Sequence, residues 1–392
     1  HKMEKKSIKI HIYKEYEIVL ELCIEVNKMD YRINRRTGDK ISVIGLGASS
    51  ISQSSEKETV ETLKLAFDNG INYFDLAAGD STCFNYYGKA FKDVRDKVIY
   101  QIHFGANYET GSYGWTTNLD KIKKSVKWQL EELETDYIDY GFIHCLDEES
   151  DWNSYIANGI LDYIKELKEK GVVKHIGISS HTPSLVQKAL DTNLIDMVMF
   201  SINPGYDFNK GDYANGTNNE RMDLYRRCEK EGVGISVMKP FSGGQLLEDR
   251  TSPFGKKLTR IQCIQYALDK PGVLTVLPGI RGKEDLLEIL KYVTASEEEK
   301  DYSIIGNFTP IDAKGKCVYC NHCMPCPAGL DIGLINKYYD LARLGDNLAK
   351  DHYMNLEKTA KDCITCGHCN MRCPFKVNQV DRMKEIKEYF GK

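Results

Sequence analysis

The chain lacks any run approaching the roughly 18 consecutive apolar residues that a membrane-spanning helix requires; its mainly apolar stretches, such as 273–277, are far shorter. It also lacks a field of one sign, because 53 basic and 57 acidic residues are well mixed and leave a formal net charge of −4. Neither nucleic acid nor an acidic membrane surface is therefore expected as a partner. No signal-peptide pattern opens the sequence, so a soluble cytoplasmic protein is expected. A complete glycine-rich phosphate turn is missing too. Gly45-Leu46-Gly47 has no third glycine, which argues against an open dinucleotide-binding sheet. Tryptophan is scarce, and Trp115, Trp128 and Trp152 read as packing or loop aromatics. What these absences leave is a small-molecule substrate or a protein redox partner.

What is present is 392 residues with 42% hydrophobic content, enough for one large core and a small satellite. Short β-rich apolar runs at 41–47, 71–75, 98–104, 137–144, 172–179, 195–202, 233–239 and 273–277 alternate with amphipathic segments at 56–69, 119–134, 154–170, 183–191, 220–230, 256–269 and 283–292. Eight strands with intervening helices predict a (β/α)8 TIM barrel of about 250 residues, with its active site on loops at the strand C-termini. The expected organisation is an N-terminal extension over 1–28, a barrel over 29–300 and a small α-rich domain over 301–392. Apolar residues in the extension alternate with strand period, so 1–28 is either a β-hairpin packed on the barrel or a run-in from a start upstream of Met29.

Thirteen cysteines suggest disulfides until their spacing is read, for eight of them lie between Cys317 and Cys373. They form Cys317-x2-Cys320-x2-Cys323-x2-Cys326-Pro327 and Cys363-x2-Cys366-x2-Cys369-x3-Cys373-Pro374. Spacing of this kind wraps three thiolates around one iron–sulfur cube and sends the fourth, beside the proline, to the other cube. Two [4Fe–4S] clusters are expected, one on Cys317, Cys320, Cys323 and Cys373 and one on Cys363, Cys366, Cys369 and Cys326. Zinc knuckles would leave the Cys-Pro ends without a reason. His322 and His368 lie between ligands and read as neighbours of the clusters. The five other cysteines, including Cys83 and Cys145, read as buried or incidental thiols. Oxygen-sensitive clusters point to the reducing cytoplasm of an anaerobe.

The segment 31–293 resembles the aldo/keto reductases, and 31–390 resembles their subgroup with a C-terminal ferredoxin-like 2[4Fe–4S] domain. The resemblance rests on Ile71-Asn72-Tyr73-Phe74-Asp75, on Tyr137-Ile138-Asp139 leading to Ile143-His144, on Lys174-His175-Ile176-Gly177-Ile178-Ser179, on Met238-Lys239-Pro240 with Gly243-Gly244, and on Val276-Leu277-Pro278-Gly279. It implies carbonyl reduction with NAD(P)H by an Asp, a Tyr, a Lys and a His, with cofactor contacts at Ser179, Asn203, Lys239, Gly279, Arg281 and Lys283. The Asp and His carry over to Asp75 and His144. The family's tyrosine falls at Asp80 and its lysine at His103, with Tyr86 or Tyr87 the alternative acid. An ionised carboxylate donates no proton, so the family's ordinary hydride chemistry is not the leading expectation.

The four mouth residues Asp75, Asp80, His103 and His144 are read mainly as an Asp75–His103 ion pair with His144 facing substrate. A divalent metal held by two imidazoles and a carboxylate is the alternative, and a flavin is also open. His181 could face substrate. The expected function is an oxidoreductase whose clusters take electrons from a carrier such as ferredoxin or flavodoxin and reduce a small polar substrate, with His103 and His144 in proton transfer. The alternatives are an NAD(P)H-dependent reductase with accessory clusters and a non-catalytic electron-transfer or scaffold subunit.

Overall fold

The computed structural model describes residues 29–208, 214–307, 315–317, 319, 323–343, 345–373 and 375–392. The hairpin expected within 1–28 lies outside these residues, as do Cys320 and His322. Two short strands, β1 (Tyr31–Ile33) and β2 (Lys40–Ser42), form an antiparallel pair. Eight parallel strands then follow: β3 (Leu46–Gly47), β4 (Tyr73–Asp75), β5 (Ile99–Phe104), β8 (Ile138–Ile143), β9 (Val173–Ser180), β10 (Met197–Ser201), β11 (Gly234–Met238) and β12 (Val273–Val276). The intervening β6 (Ala106–Asn107) and β7 (Gly114–Trp115) make a small hairpin after β5.

The parallel strands are hydrogen-bonded in the order β3-β4-β5-β8-β9-β10-β11-β12. Parallel bridges Ile44–Val276 and Gly47–Gly279 join the last to the first, with Gly45 N donating to Val276 O at 2.9 Å. The sheet is therefore a closed barrel, which removes both edges. The single first strand expected over 41–47 is split. Its front half pairs with β1, and only its end enters the barrel wall.

The lower interior is filled by Ile41, Tyr73, Tyr140, Phe142, Met197, Met199, Leu274 and Leu277. Large side chains there need small neighbours. Phe142 faces Gly177 across the β8–β9 ladder, and a Cβ on Gly177 would sit 2.2 Å from the Phe142 ring. Because Phe142 is fully buried, Gly177→Ala should cost about 1–3 kcal/mol in chemical unfolding, with the substitution measured on intact protein.

Around the strands, helix ends carry local signals. Ser55 caps Glu56–Asp68 by accepting from Glu58 N, and Thr217 and Glu220 form a reciprocal cap on Asn218–Glu231, which ends at Gly232 in the left-handed region. The helix expected over 154–170 is two, Glu149–Ala157 and Ile160–Glu169. Gly159, at φ +72°, turns the chain between them.

Beyond the barrel, helices Ile332–Arg343, Asn347–Met354 and Gln379–Phe390 enclose a second core around Leu330, Ile335, Tyr353, Ile386 and Phe390. This segment is docked on the barrel. Tyr319 and Asp340 hold Arg226 of the barrel at 3.0 and 3.4 Å, and the Phe208 and Phe375 rings stack with centroids 6.1 Å apart. Among the described residues, no helix is long and apolar enough to cross a membrane.

Candidate active site at the barrel mouth

Three strands end on polar side chains at the same rim. Asp75 closes β4, His103 is the penultimate residue of β5, and His144 follows β8 directly. All three are buried, and parallel strands present their C-terminal ends together, so the side chains meet. His103 Nε2 lies 2.7 Å from Asp75 Oδ1, and His103 Nδ1 lies 2.9 Å from His144 Nδ1. His144 Nε2 is 2.6 Å from the hydroxyl of Tyr113. One set of tautomers satisfies every bond. Tyr113 Oη–H donates to His144 Nε2, His144 Nδ1–H donates to His103 Nδ1, and His103 Nε2–H donates to the Asp75 carboxylate.

The chain is fixed from both sides. Gln101 Nε2 also donates to Asp75 Oδ1, at 3.1 Å, while its oxygen accepts from the Tyr73 hydroxyl at 2.5 Å. Trp115 Nε1 donates to the His144 carbonyl at 3.2 Å, which ties the β6–β7 hairpin carrying Tyr113 to the end of β8. Burial, with the neighbouring His103 and His181, holds the His144 imidazole well below the ordinary histidine value, so His144 stays neutral. Desolvation and the nearby Cys145 push the Tyr113 hydroxyl up to about 12. Tyr113 nonetheless remains 42% exposed. It is the solvent-facing end of a line of polar groups that is otherwise sealed.

The other mouth residues are placed differently. Asp80 Oδ1 accepts from Thr82 N at 2.9 Å and from Thr82 Oγ1 at 2.5 Å, where the helix Thr82–Phe91 starts. Tyr87 is fully buried on that helix, with its ring against Phe74 and Tyr100. The imidazole nitrogens of His103 and His144 are engaged with one another, with Asp75 and with Tyr113. Tyr113 was not among the residues picked out by sequence. The signal available was the 14-residue connection between β5 and helix Leu119–Glu132, a long loop on the catalytic face with two tyrosines and three glycines.

Candidate cofactor contacts ring the same face. Ser179 Oγ accepts from Cys145 N at 2.9 Å and lies 3.5 Å from His144 Nδ1. Asn203 caps the short helix Pro204–Asp207 and donates to the Lys239 carbonyl at 2.8 Å. Gly279 sits in the bridge that closes the barrel. Arg281 is turned onto Asp285, Nε to Oδ2 at 2.9 Å and Nη2 to Oδ1 at 3.2 Å, and Lys283 opens the next helix. The groove there also carries Glu58 and Glu284, so three carboxylates meet two cations.

In the C-terminal segment Cys326, Cys363, Cys366 and Cys369 line one cavity, walled by Leu330, Ile332, Val380 and Met383. A thiolate from the first motif thus joins three from the second, and four soft donors around an apolar pocket fit a [4Fe–4S] cube. Cys373 packs with the barrel core, and Cys317 Sγ accepts from Gln379 Nε2 at 3.8 Å. His368 accepts from Arg372 at 3.2 Å and so reads as a neighbour of the cavity.

The aldo/keto reductase family model matches residues 43–262, more than half of the chain. The chain belongs to the aldo/keto reductase family. A 4Fe–4S dicluster domain matches 314–377. Among relatives of this aldo/keto reductase, an uncharacterized oxidoreductase of Bacillus subtilis is 32% identical over 287 residues, 66% of this chain and 90% of that protein. The L-galactose dehydrogenase of Arabidopsis thaliana is 25% identical over 305 residues, covering 69% and 90%. An aldo-keto reductase of Bacillus halodurans in its holo form superposes with a TM-score of 0.57 at 22% identity, over 72% of this chain and 97% of that one, and shares the fold. This aldo/keto reductase is therefore an oxidoreductase that carries an iron–sulfur domain behind its barrel.

Proposed function

We propose that the protein reduces a small polar substrate at the barrel mouth with electrons supplied by two [4Fe–4S] clusters charged from a ferredoxin- or flavodoxin-type carrier, while His103 and His144 deliver one of the two protons that each two-electron reduction consumes and solvent at the mouth supplies the other. The observation that carries this reading is the unbroken line Asp75–His103–His144–Tyr113. Cys317, Cys320, Cys323 and Cys373 would hold one cluster, and Cys363, Cys366, Cys369 and Cys326 the other.

The line has two states that differ by one proton. In the loaded state His103 is an imidazolium paired with Asp75, and its Nδ1–H donates to His144 Nδ1. His144 then donates from Nε2 to Tyr113, whose hydroxyl proton is free to point into the mouth. When the substrate takes that proton, the His144 Nε2 proton moves to Tyr113 and the His103 Nδ1 proton moves to His144. The line is left in the tautomers that satisfy every bond in the resting arrangement. Asp75 stabilises the cation in the loaded state, and His144, kept neutral by burial, passes the proton without holding it. Asp80 shapes the rim by fixing the first turn of its helix.

The groove after β12 supports the same reading. A 2′-phosphate placed there would meet Arg281 already engaged with Asp285 and the carboxylates of Glu58 and Glu284. Anaerobic holoprotein should therefore turn over sugar and short aldehyde carbonyls with a reduced ferredoxin and show little turnover with NADPH. Brisk NADPH-dependent reduction without cluster involvement would establish ordinary family chemistry with accessory clusters. Electron exchange with ferredoxin and no turnover of any substrate would establish an electron-transfer subunit. Tyr113→Phe should lower turnover by about 10²-fold, within the range that positioned general acids contribute, with cluster absorbance unchanged.

A further inference from the structure

Beside the relay lies a group of side chains that it does not use. After His144 the chain turns through Cys145, a non-glycine residue at φ +51°, and brings Asp147 alongside His181 at the end of β9. Asp147 Oδ2 is 3.8 Å from Cys145 Sγ and 2.8 Å from His181 Nδ1. One ligand atom from each of the three residues lies within 4.8 Å of the other two. Holding a left-handed backbone at a residue with a Cβ costs about 1–2 kcal/mol. Here the turn is what carries the thiol to the carboxylate and imidazole.

We propose that Cys145, Asp147 and His181 form a binding site for one zinc-type divalent cation, separate from the iron–sulfur cysteines. Thiolate, carboxylate and imidazole are the ligand types that such a borderline cation takes. Bond lengths of about 2.3 Å to sulfur and about 2.0–2.2 Å to nitrogen and oxygen in a tetrahedron put ligand atoms about 3.4–3.6 Å apart. The sulfur–oxygen distance is already near that value, and the nitrogen–oxygen pair would open by about half an ångström as the cation replaces the hydrogen bond.

The carboxylate is also held for the purpose. Its other oxygen, Oδ1, accepts from His181 N at 2.6 Å and from Ser180 Oγ at 3.1 Å, which leaves Oδ2 directed at the thiol and the imidazole. Cys145 N donates to Ser179 Oγ, fixing the thiol's backbone. His181 is buried, but the Asp147 side chain is 29% exposed, so the fourth position opens to water. On binding, the thiol proton leaves to solvent and the imidazole proton resides on Nε2. Two anionic ligands then balance the two charges of the cation, which would clamp the ends of β8 and β9.

The test uses anaerobic holoprotein with its full iron complement, dialysed against zinc and then against buffer alone. About one zinc per chain should be retained at unchanged iron content. X-ray absorption at the zinc edge should show one sulfur at about 2.3 Å with nitrogen or oxygen neighbours at about 2.0–2.1 Å. Cys145→Ser should remove the sulfur shell, and His181→Ala should reduce retention at least tenfold, with cluster absorbance as a check that each variant is folded. No retained zinc, retention equal in both variants, or a four-sulfur shell from zinc in the cluster positions would each overturn the assignment.

Discussion

His144→Ala should abolish most turnover with a reduced electron donor, and so should His103→Ala, while neither changes the cluster spectrum. General acid–base groups contribute about 10²–10⁴-fold, and each substitution cuts the only line that joins Asp75 to Tyr113 among the described hydrogen bonds. The decisive feature is non-additivity. Removing His144 leaves His103 with no imidazole to pass its proton to, and removing His103 leaves His144 with no imidazolium to draw one from, so the double variant should be little slower than either single one. Two independent contributions would multiply instead. Additive losses would fit side chains that each bind substrate, and full activity in both variants would place the chemistry elsewhere. Cluster absorbance serves as the control because neither histidine lines the cavity of Cys326, Cys363, Cys366 and Cys369.

The barrel was legible because its signal is long and repeated. Eight apolar runs separated by amphipathic stretches admit few other folds, and Gly70 and Gly232, both at positive φ, follow the ends of two of the helices. What sequence could not supply was the split of the first strand and the break at Gly159, since both depend on tertiary pairing rather than on local pattern. In the site, Asp75, His103 and His144 were within reach because each ends a strand. Strand ends of a barrel converge by geometry. Tyr113 was not, because a side chain on a hairpin inside a long loop has no periodicity to place it. The position of Asp80 shows the converse: alignment by counting put it where the family's tyrosine belongs, while locally it does what an aspartate before a helix commonly does, accepting from the backbone two residues on.

Cys326→Ala should halve the iron content, from about eight to about four per chain, and the cluster lost should be the one anchored by the other motif. The cavity lined by Cys326 together with Cys363, Cys366 and Cys369 is the reason. Iron analysis of one variant does not say which cluster went, so the argument needs a pair. If Cys326 completes the cluster of Cys363, Cys366 and Cys369, adding Cys363→Ala to Cys326→Ala removes a second ligand from a cluster already lost, and iron should stay near four. If instead Cys326 served Cys317, Cys320 and Cys323, the same double variant would strip a ligand from each cluster and iron would fall toward zero. The converse pair, Cys326→Ala with Cys317→Ala, should behave oppositely and lose both clusters. Thiolate ligation contributes folding energy to so small a core, so helical content by circular dichroism should fall most in that second pair. A double variant with Cys363→Ala that holds no iron would reverse the crossed assignment.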